Sequence, residues 1–237
     1  MSLHHVVESD GPPLVLASSL GTTHRLWDPN VAALSRRYQV LRYDHPGHGE
    51  SPVGPDTIEG VASEALELLD ELGLERVTFC GLSLGGMVGI WLGAHAPERL
   101  ERLVLASTAP RLPPAEQWVE RAATVRREGM AAIVDAVVGR WFTPRFAGDR
   151  EHWRAMLVST PPEGYARCCE AIAAMDLRED LHDIRVPTTV ILCRHDPVID
   201  DENRRLLAEA GRVVEIDAAH LANVEQPDAF DQAVLAA

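Results

Sequence analysis

The chain has 237 residues, of which 46% are hydrophobic, and this size and composition fit one large α/β domain with a sizeable buried core. The formal net charge of −14 argues against nucleic acid and anionic membrane surfaces as partners, because both bind proteins through a cationic face. All 22 basic residues are arginine, and the absence of lysine excludes Schiff-base and pyridoxal-phosphate chemistry, which require a lysine amine.

Signals for export, metal binding or disulfide formation are not evident in the sequence. No apolar run approaches the roughly 20 residues needed to cross a bilayer, and the N-terminus lacks a signal-peptide pattern. The four cysteines, Cys80, Cys168, Cys169 and Cys193, show neither CxxC nor Cys/His spacing. We therefore expect a cytoplasmic protein with reduced thiols, no metal site and no cofactor. The sequence leaves the oligomeric state open.

Short apolar, β-branched runs bounded by turn residues predict a series of fully buried strands. They cover residues 14–17, 40–43, 77–80, 103–106, 189–193 and 213–216. Between two of them, residues 58–72 have helical periodicity, with Thr57 as N-cap and Gly73 at the C-terminal cap. This alternation predicts a mostly parallel sheet with helices on both faces and ligands bound at the carboxyl ends of the strands.

The alternation of strand and helix breaks between about residues 110 and 187, where we predict amphipathic helices and no strand. The helices cover residues 115–128, 130–138, 150–157 and 163–174. A helical insertion between two parallel strands cannot join the sheet, so we expect it to pack over the strand ends as a cap. We accordingly assign residues 1–110 and 187–237 to the core and residues 111–186 to the cap.

A strand-to-helix elbow is indicated by Gly81-Leu82-Ser83-Leu84-Gly85, which follows the apolar run 77–80. A serine at such an elbow is typically a nucleophile, because the tight turn exposes its hydroxyl and the glycines avoid backbone clashes. We predict Ser83 as the nucleophile. Two backbone amides would bind the oxyanion, those of Leu84 and of Leu20, which lies in the loop after the first core strand.

A serine nucleophile needs a histidine base and a carboxylate that orients the imidazole. Where the serine lies on a strand-to-helix elbow, the three residues characteristically follow the chain order serine, acid, histidine. Asp196 lies at the carboxyl end of the strand predicted over residues 189–193. Asp200 and Asp201 are alternatives, although they precede a helical stretch, where aspartate serves as a cap. We select Asp196 as the acid.

His220 is our prediction for the base, since it follows the strand predicted over residues 213–216 and is the last histidine in the chain. Earlier histidines are more plausibly structural. His45 and His48 lie in a turn-rich loop after a strand, where we expect local hydrogen bonds rather than catalysis.

Beyond the elbow and the ordered triad, several segments resemble the 3-oxoadipate enol-lactonases of the α/β-hydrolase superfamily. These segments are residues 19–27, 42–44, 140–144, 164–170 and 217–225. The cap segments are the more discriminating, since caps set substrate choice, and the resemblance spans nearly the whole chain. One departure is Ser18-Ser19, where many members of the superfamily have His-Gly.

The resemblance implies an α/β-hydrolase fold with an inserted helical cap, and hydrolysis of a small anionic lactone, 3-oxoadipate enol-lactone, in aromatic degradation. The alternatives are a carboxylesterase or perhydrolase, a C–C bond hydrolase, and a non-catalytic small-molecule receptor of the same fold.

The substrate's carboxylate needs a cation, and the cap segment is the less acidic part of the chain. Residues 111–180 hold ten arginines against eleven acidic residues, whereas the rest of the chain holds twelve against twenty-five. The arginines of the cap include Arg121, Arg126, Arg127, Arg140, Arg145, Arg150, Arg154 and Arg167. The resemblance favours Arg140 and Trp141 as substrate-binding residues, although the sequence alone does not select one arginine and Trp141 fits the core of the cap equally well.

Overall fold

A computed structural model describes residues 2–112 and 114–237 of the chain. The sheet consists of β1 His5–Glu8, β2 Pro13–Ala17, β3 Gln39–Tyr43, β4 Val77–Leu82, β5 Leu100–Ala106, β6 Thr188–Cys193 and β7 Arg212–Ile216. The strands lie in the order β1-β3-β2-β4-β5-β6-β7. β1 pairs antiparallel with β3, and the other neighbouring strands pair in parallel. Because β2, β4, β5 and β6 are parallel neighbours, their carboxyl ends meet at one edge of the sheet.

The helices are α1 Asp28–Leu34, α2 Ile58–Glu71, α3 Leu84–His95, α4 Ala115–Glu128, α5 Val134–Trp141, α6 Arg150–Val158, α7 Pro162–Ala174, α8 Arg178–Asp183, α9 Asp201–Ala210, α10 Ala222–Glu225 and α11 Pro227–Leu235. α2 begins as predicted, because the Thr57 hydroxyl accepts a hydrogen bond from the Gly60 amide at 3.1 Å. Gly73, just beyond its end, has a φ of +66°, which glycine adopts without strain. None of the helices in the described residues is long and apolar enough to cross a membrane.

The strand predicted over residues 213–216 forms as β7, but the prediction that it is fully buried is wrong. Most of β7 is exposed or half-buried, and Val213 is 42% exposed. Among the described residues, β7 pairs only with β6, at the edge of the sheet, so one side of its backbone has no neighbouring strand there. Its apolar run is typical of a buried strand, but its position in the sheet decides its burial. β1, at the opposite edge, is a strand that the sequence did not predict.

Helices α4 to α8 lie, in chain order, between β5 and β6. The single helix predicted over residues 130–138 is wrong, because the chain forms a short 3₁₀ turn at Met130–Ala132 and then starts α5 at Val134. Gly129, with φ +80°, ends α4 and turns the chain. Apolar side chains are buried both in the 3₁₀ turn and in α5, so the spacing of apolar residues in the sequence does not reveal where the helix is interrupted.

The helices of the inserted segment approach the core closely at one point. A Cβ atom on Gly164 of α7 would overlap the backbone of Gly47, in the turn after β3. Because neither glycine carries a side chain, α7 can lie directly against this turn. All four cysteines, Cys80, Cys168, Cys169 and Cys193, are buried and unpaired, and burial raises the pKa of each thiol.

Candidate active site

Ser83 lies at the elbow between β4 and α3, at the carboxyl edge of the sheet. Its φ of 57° and ψ of −112° are sparsely populated for a residue with a side chain. Two hydrogen bonds hold it in this conformation: the Ser83 amide donates to the Ala106 carbonyl at 2.9 Å, and the Thr108 hydroxyl donates to the Ser83 carbonyl at 2.8 Å. These backbone hydrogen bonds therefore hold the Ser83 side chain in a fixed position at the end of β4.

Glycines on either side of the serine are needed for this tight turn. A Cβ atom on Gly81 would overlap the carbonyl of Gly85, and one on Gly85 would overlap the carbonyl of Ala17 at the end of β2. The elbow thus packs against the neighbouring strand through bare backbone, which accounts for the glycine spacing in the sequence.

His220 and Asp196 form a buried pair at the same edge of the sheet. The His220 Nδ1 atom lies 2.9 Å from the Asp196 Oδ2 atom, and both residues are less than 7% exposed. The other carboxylate oxygen of Asp196 accepts a hydrogen bond from the Val198 amide at 2.8 Å, which fixes the carboxylate. This arrangement favours the imidazole tautomer with the proton on Nδ1, so that Nε2 is available as a base.

The alternative acid, Asp200, has a different role in the structure. It is the N-cap of α9, and its carboxylate accepts a hydrogen bond from the Asn203 amide at 2.8 Å. Asp201 is the first residue of the same helix. Both fit the capping interpretation made from the sequence.

The loop that carries His220 is attached to the segment that follows α5. The Leu221 amide donates to the Trp141 carbonyl at 3.0 Å. The Glu225 carboxylate accepts hydrogen bonds from the amides of Thr143, at 3.1 Å, and Ala219, at 2.9 Å. Glu225 was not among the residues selected from the sequence, because its role depends on an approach between segments about 80 residues apart.

One cavity brings the predicted residues together. It is lined by Ser83, His220, Leu20, Arg140 and Trp141. Asp196 is hydrogen-bonded to the His220 ring at Nδ1. Within residues 2–112 and 114–237, no hydrogen bond joins the Ser83 hydroxyl to His220. Such contacts often tighten only when substrate binds.

The amides of Leu20 and Leu84 are free to bind an anion. Within the described part of the chain, neither amide donates a hydrogen bond to a protein acceptor. Leu84 is the first residue of α3, where the helix dipole also favours negative charge. The assignment of these two amides to an oxyanion hole remains a prediction that this geometry supports.

The structure narrows the choice among the eight arginines weighed as ligands for the substrate carboxylate, which all lie between β5 and β6. Ion pairs with carboxylates involve Arg126, Arg127, Arg145, Arg154 and Arg167. Arg150 donates to the Thr143 carbonyl at 2.5 Å. By contrast, Arg121 and Arg140 line the cavity and have no carboxylate within 4.0 Å among the described residues. The pKa of Arg140 is lowered by burial and, secondarily, by the neighbouring charge of Arg121.

Residues 14–233 match the alpha/beta hydrolase family, and the chain belongs to that family. The fold class predicted from the sequence is therefore confirmed. Among curated relatives, the chain is 39% identical to 3-oxoadipate enol-lactonase 2 of Acinetobacter baylyi, over 96% of this chain and 88% of the relative. It is 31% identical to a putative carbamate hydrolase, RutD, of Azorhizobium caulinodans, over 98% and 93% of the two chains.

Among solved structures, the enol-lactonase from Burkholderia xenovorans LB400 superposes on this chain with a TM-score of 0.94 and 44% sequence identity. The match covers 99% of this chain and 95% of that structure. The resemblance to the enol-lactonases that the sequence indicated is thus confirmed over almost the full length of the chain, including the residues between β5 and β6.

Proposed function

We propose that this protein hydrolyses 3-oxoadipate enol-lactone to 3-oxoadipate through an acyl-enzyme on Ser83. The observation that carries the proposal is the convergence, on one cavity, of the elbow serine, the imidazole of the His220–Asp196 pair and two arginines without carboxylate partners. The similarity to proteins named as enol-lactonases supports the choice of substrate. In this role the protein acts in the β-ketoadipate route of aromatic degradation.

Acylation begins when His220 Nε2 takes the proton of the Ser83 hydroxyl and the Ser83 oxygen attacks the lactone carbonyl. The oxyanion is stabilised by the amides of Leu20 and Leu84. The Asp196 carboxylate stabilises the imidazolium that forms on His220. The bond between the carbonyl carbon and the ring oxygen then breaks, and the ring opens.

The leaving group is an enolate, which departs more readily than an alkoxide. It is protonated to the enol, with His220 as the proton source, and becomes the ketone of the product. His220 then takes a proton from a water molecule, which attacks the acyl carbonyl. The imidazolium returns this proton to the Ser83 oxygen as the ester bond to the serine breaks and 3-oxoadipate leaves. Because Asp196 favours the tautomer with the proton on Nδ1, His220 Nε2 can act as the base in both acylation and deacylation.

Arg121 and Arg140 bind the carboxylate that the lactone carries outside its ring. A half-buried guanidinium near a second cation is electrostatically unfavourable, as the lowered pKa of Arg140 indicates, and an anionic ligand relieves this cost. A carboxylate also matches the fork of N–H donors on a guanidinium. Trp141, buried and next to Arg140 in the cavity wall, supplies apolar surface to the substrate.

The test compares hydrolysis of 3-oxoadipate enol-lactone with hydrolysis of p-nitrophenyl acetate, a neutral ester. We expect a large preference for the lactone in kcat/KM, and we expect Ser83→Ala to abolish both activities with little change in the thermal unfolding temperature. A preference for the ester identifies a general carboxylesterase instead. The absence of both activities in the wild-type protein identifies a receptor.

A further inference from the structure

The loop that follows β2 carries the Leu20 amide, and it lacks the His-Gly pair common in this superfamily. Ser18 and Ser19 stand in its place, so other contacts must hold the loop. Two buried imidazoles from the turn after β3, those of His45 and His48, contact its backbone on either side of Leu20.

His45 holds the first side of the loop. Its Nε2 atom lies 2.8 Å from the Ser18 carbonyl oxygen, so Nε2 carries the proton and donates a hydrogen bond to that carbonyl. The same carbonyl accepts a hydrogen bond at 3.0 Å from the amide of Gly85, which lies in the first turn of α3, one residue after Leu84. The Ser18 carbonyl therefore joins the loop that carries Leu20 to the helix that carries the Leu84 amide.

His48 holds the second side of the loop. The amide of Gly21, the residue directly after Leu20, donates to His48 Nε2 at 3.0 Å. His48 Nδ1 lies 3.1 Å from the Pro46 carbonyl oxygen, and since a carbonyl only accepts, Nδ1 carries the proton. The ring is thereby fixed as the neutral tautomer with Nε2 as acceptor.

Both rings are in an environment that keeps them neutral. Burial lowers the pKa of His48 below its usual range. Burial, and secondarily the neighbouring His48, lower the pKa of His45 to about 3. A proton on His48 Nε2 would remove the acceptor for the Gly21 amide, so the neutral form is the one that holds the loop.

We infer that His45 and His48 are positioning residues for the oxyanion hole, which hold the Leu20 amide at a fixed place relative to the Leu84 amide. The inference rests on the proposed serine hydrolysis, but not on the identity of the lactone. Preorganised donors act only if they are aimed at the developing oxyanion before reaction, so a loosened loop weakens transition-state stabilisation more than substrate binding.

The test uses two amide replacements of His48, each of which keeps a different one of its two hydrogen bonds. His48→Gln places an acceptor oxygen near the former Nε2 position, whereas His48→Asn retains a donor for the Pro46 carbonyl and leaves the Gly21 amide without an acceptor. The matched control is His95→Asn, at the far end of α3, where the imidazole contacts Asp180. All are assayed with p-nitrophenyl acetate, so that the outcome does not depend on whether the enol-lactone is the substrate.

We expect His48→Asn to lower kcat by about tenfold to a hundredfold, up to the loss caused by removing one oxyanion donor, with KM changed less than about twofold. The inhibition constant of phenylboronic acid, which forms a tetrahedral adduct with the serine, rises by the same factor. His48→Gln and His95→Asn stay within about threefold of the wild type.

Two results would overturn the inference. One is unchanged kcat in His48→Asn. The other is equal loss in both amide variants together with a fall in unfolding temperature, which describes a purely structural histidine. Ester and lactone hydrolysis that survive Ser83→Ala would instead refute the proposed function itself, so the two failures are distinguishable.

Discussion

Replacement of Asp231 by asparagine is expected to stabilise the protein at neutral pH. Asp231 is 5% exposed, and burial raises the pKa of its carboxyl from 3.8 to about 6. Its Oδ1 atom accepts a hydrogen bond from Asn30 Nδ2 at 2.8 Å. The same Asn30 amide group donates at 3.1 Å to the carbonyl of Asn223, three residues after His220. The carboxylate therefore lies in a buried network that supports the segment after His220.

The magnitude follows from the shift in the pKa. The difference between 3.8 and about 6 is about two pKa units, and one unit corresponds to about 1.4 kcal/mol, which gives an upper bound of about 3 kcal/mol for the penalty at neutral pH. An amide oxygen at the same position can still accept from Asn30, so the network survives the substitution. We expect Asp231→Asn to raise the free energy of unfolding by about 1–3 kcal/mol at pH 7.

The sign of the effect depends on pH. Between about pH 4 and 6 the folded protein binds more protons at this site than the unfolded chain, so the contribution of Asp231 to stability falls as the pH rises through this window. Below about pH 4 the carboxyl is protonated in both states, and the advantage of the variant should vanish.

Urea unfolding of both proteins at several pH values from 4 to 7 measures this difference. Asp10→Asn, at an exposed position between β1 and β2, is the matched control and should show no such trend. A variant that is less stable than the wild type at pH 7, or a difference that does not change with pH, would refute the reasoning.

Two further substitutions test the proposed chemistry. Asp196→Asn should lower kcat by up to about 10⁴-fold, as in other serine triads, because an amide no longer stabilises the His220 imidazolium or its tautomer. Steady-state kinetics check this, and a loss below tenfold would contradict the assignment of the acid. Arg140→Met should raise KM for the enol-lactone at least about tenfold, because the substrate loses roughly one charge-assisted hydrogen bond. KM for p-nitrophenyl acetate should stay nearly constant, since this ester carries no carboxylate. The control is Arg127→Met, whose guanidinium pairs with Glu128 on the surface. Equal effects of the two arginine substitutions on KM for the lactone would remove the case for carboxylate recognition.

Most strands were readable from the sequence, because buried parallel strands are continuous apolar runs. β4 and β6 are examples, and their carboxyl ends lead to Ser83 and Asp196. Edge strands were less readable. β7 resembles a buried strand in sequence, and β1 is too short and mixed in polarity to stand out. Position in a sheet depends on pairing between distant segments, which local patterns do not encode.

The catalytic candidates could be selected from the sequence because the elbow glycines and the apolar strands before these residues are local sequence patterns. Of the two cavity arginines, Arg140 was selected only through the family resemblance and Arg121 was not singled out, because the pairing of arginines with carboxylates is decided by how helices pack. Arg126, for instance, binds Glu163 and Glu170, which lie 37 and 44 residues further along the chain on α7. Arg121, on the same helix as Arg126, has no such carboxylate partner among the described residues. Sequence spacing within α4 does not distinguish the two.

The burial of all four thiols has a practical consequence for measuring movement in solution. A cysteine introduced at Val119 of α4, which is 54% exposed, would be the one readily alkylated position in the chain. A second cysteine, introduced at Val7 of β1, which is 43% exposed, would allow one dye of a donor–acceptor pair to be attached to α4 and the other to the sheet. Energy transfer between the dyes would then report whether α4 shifts relative to the sheet during turnover, without removal of any native cysteine.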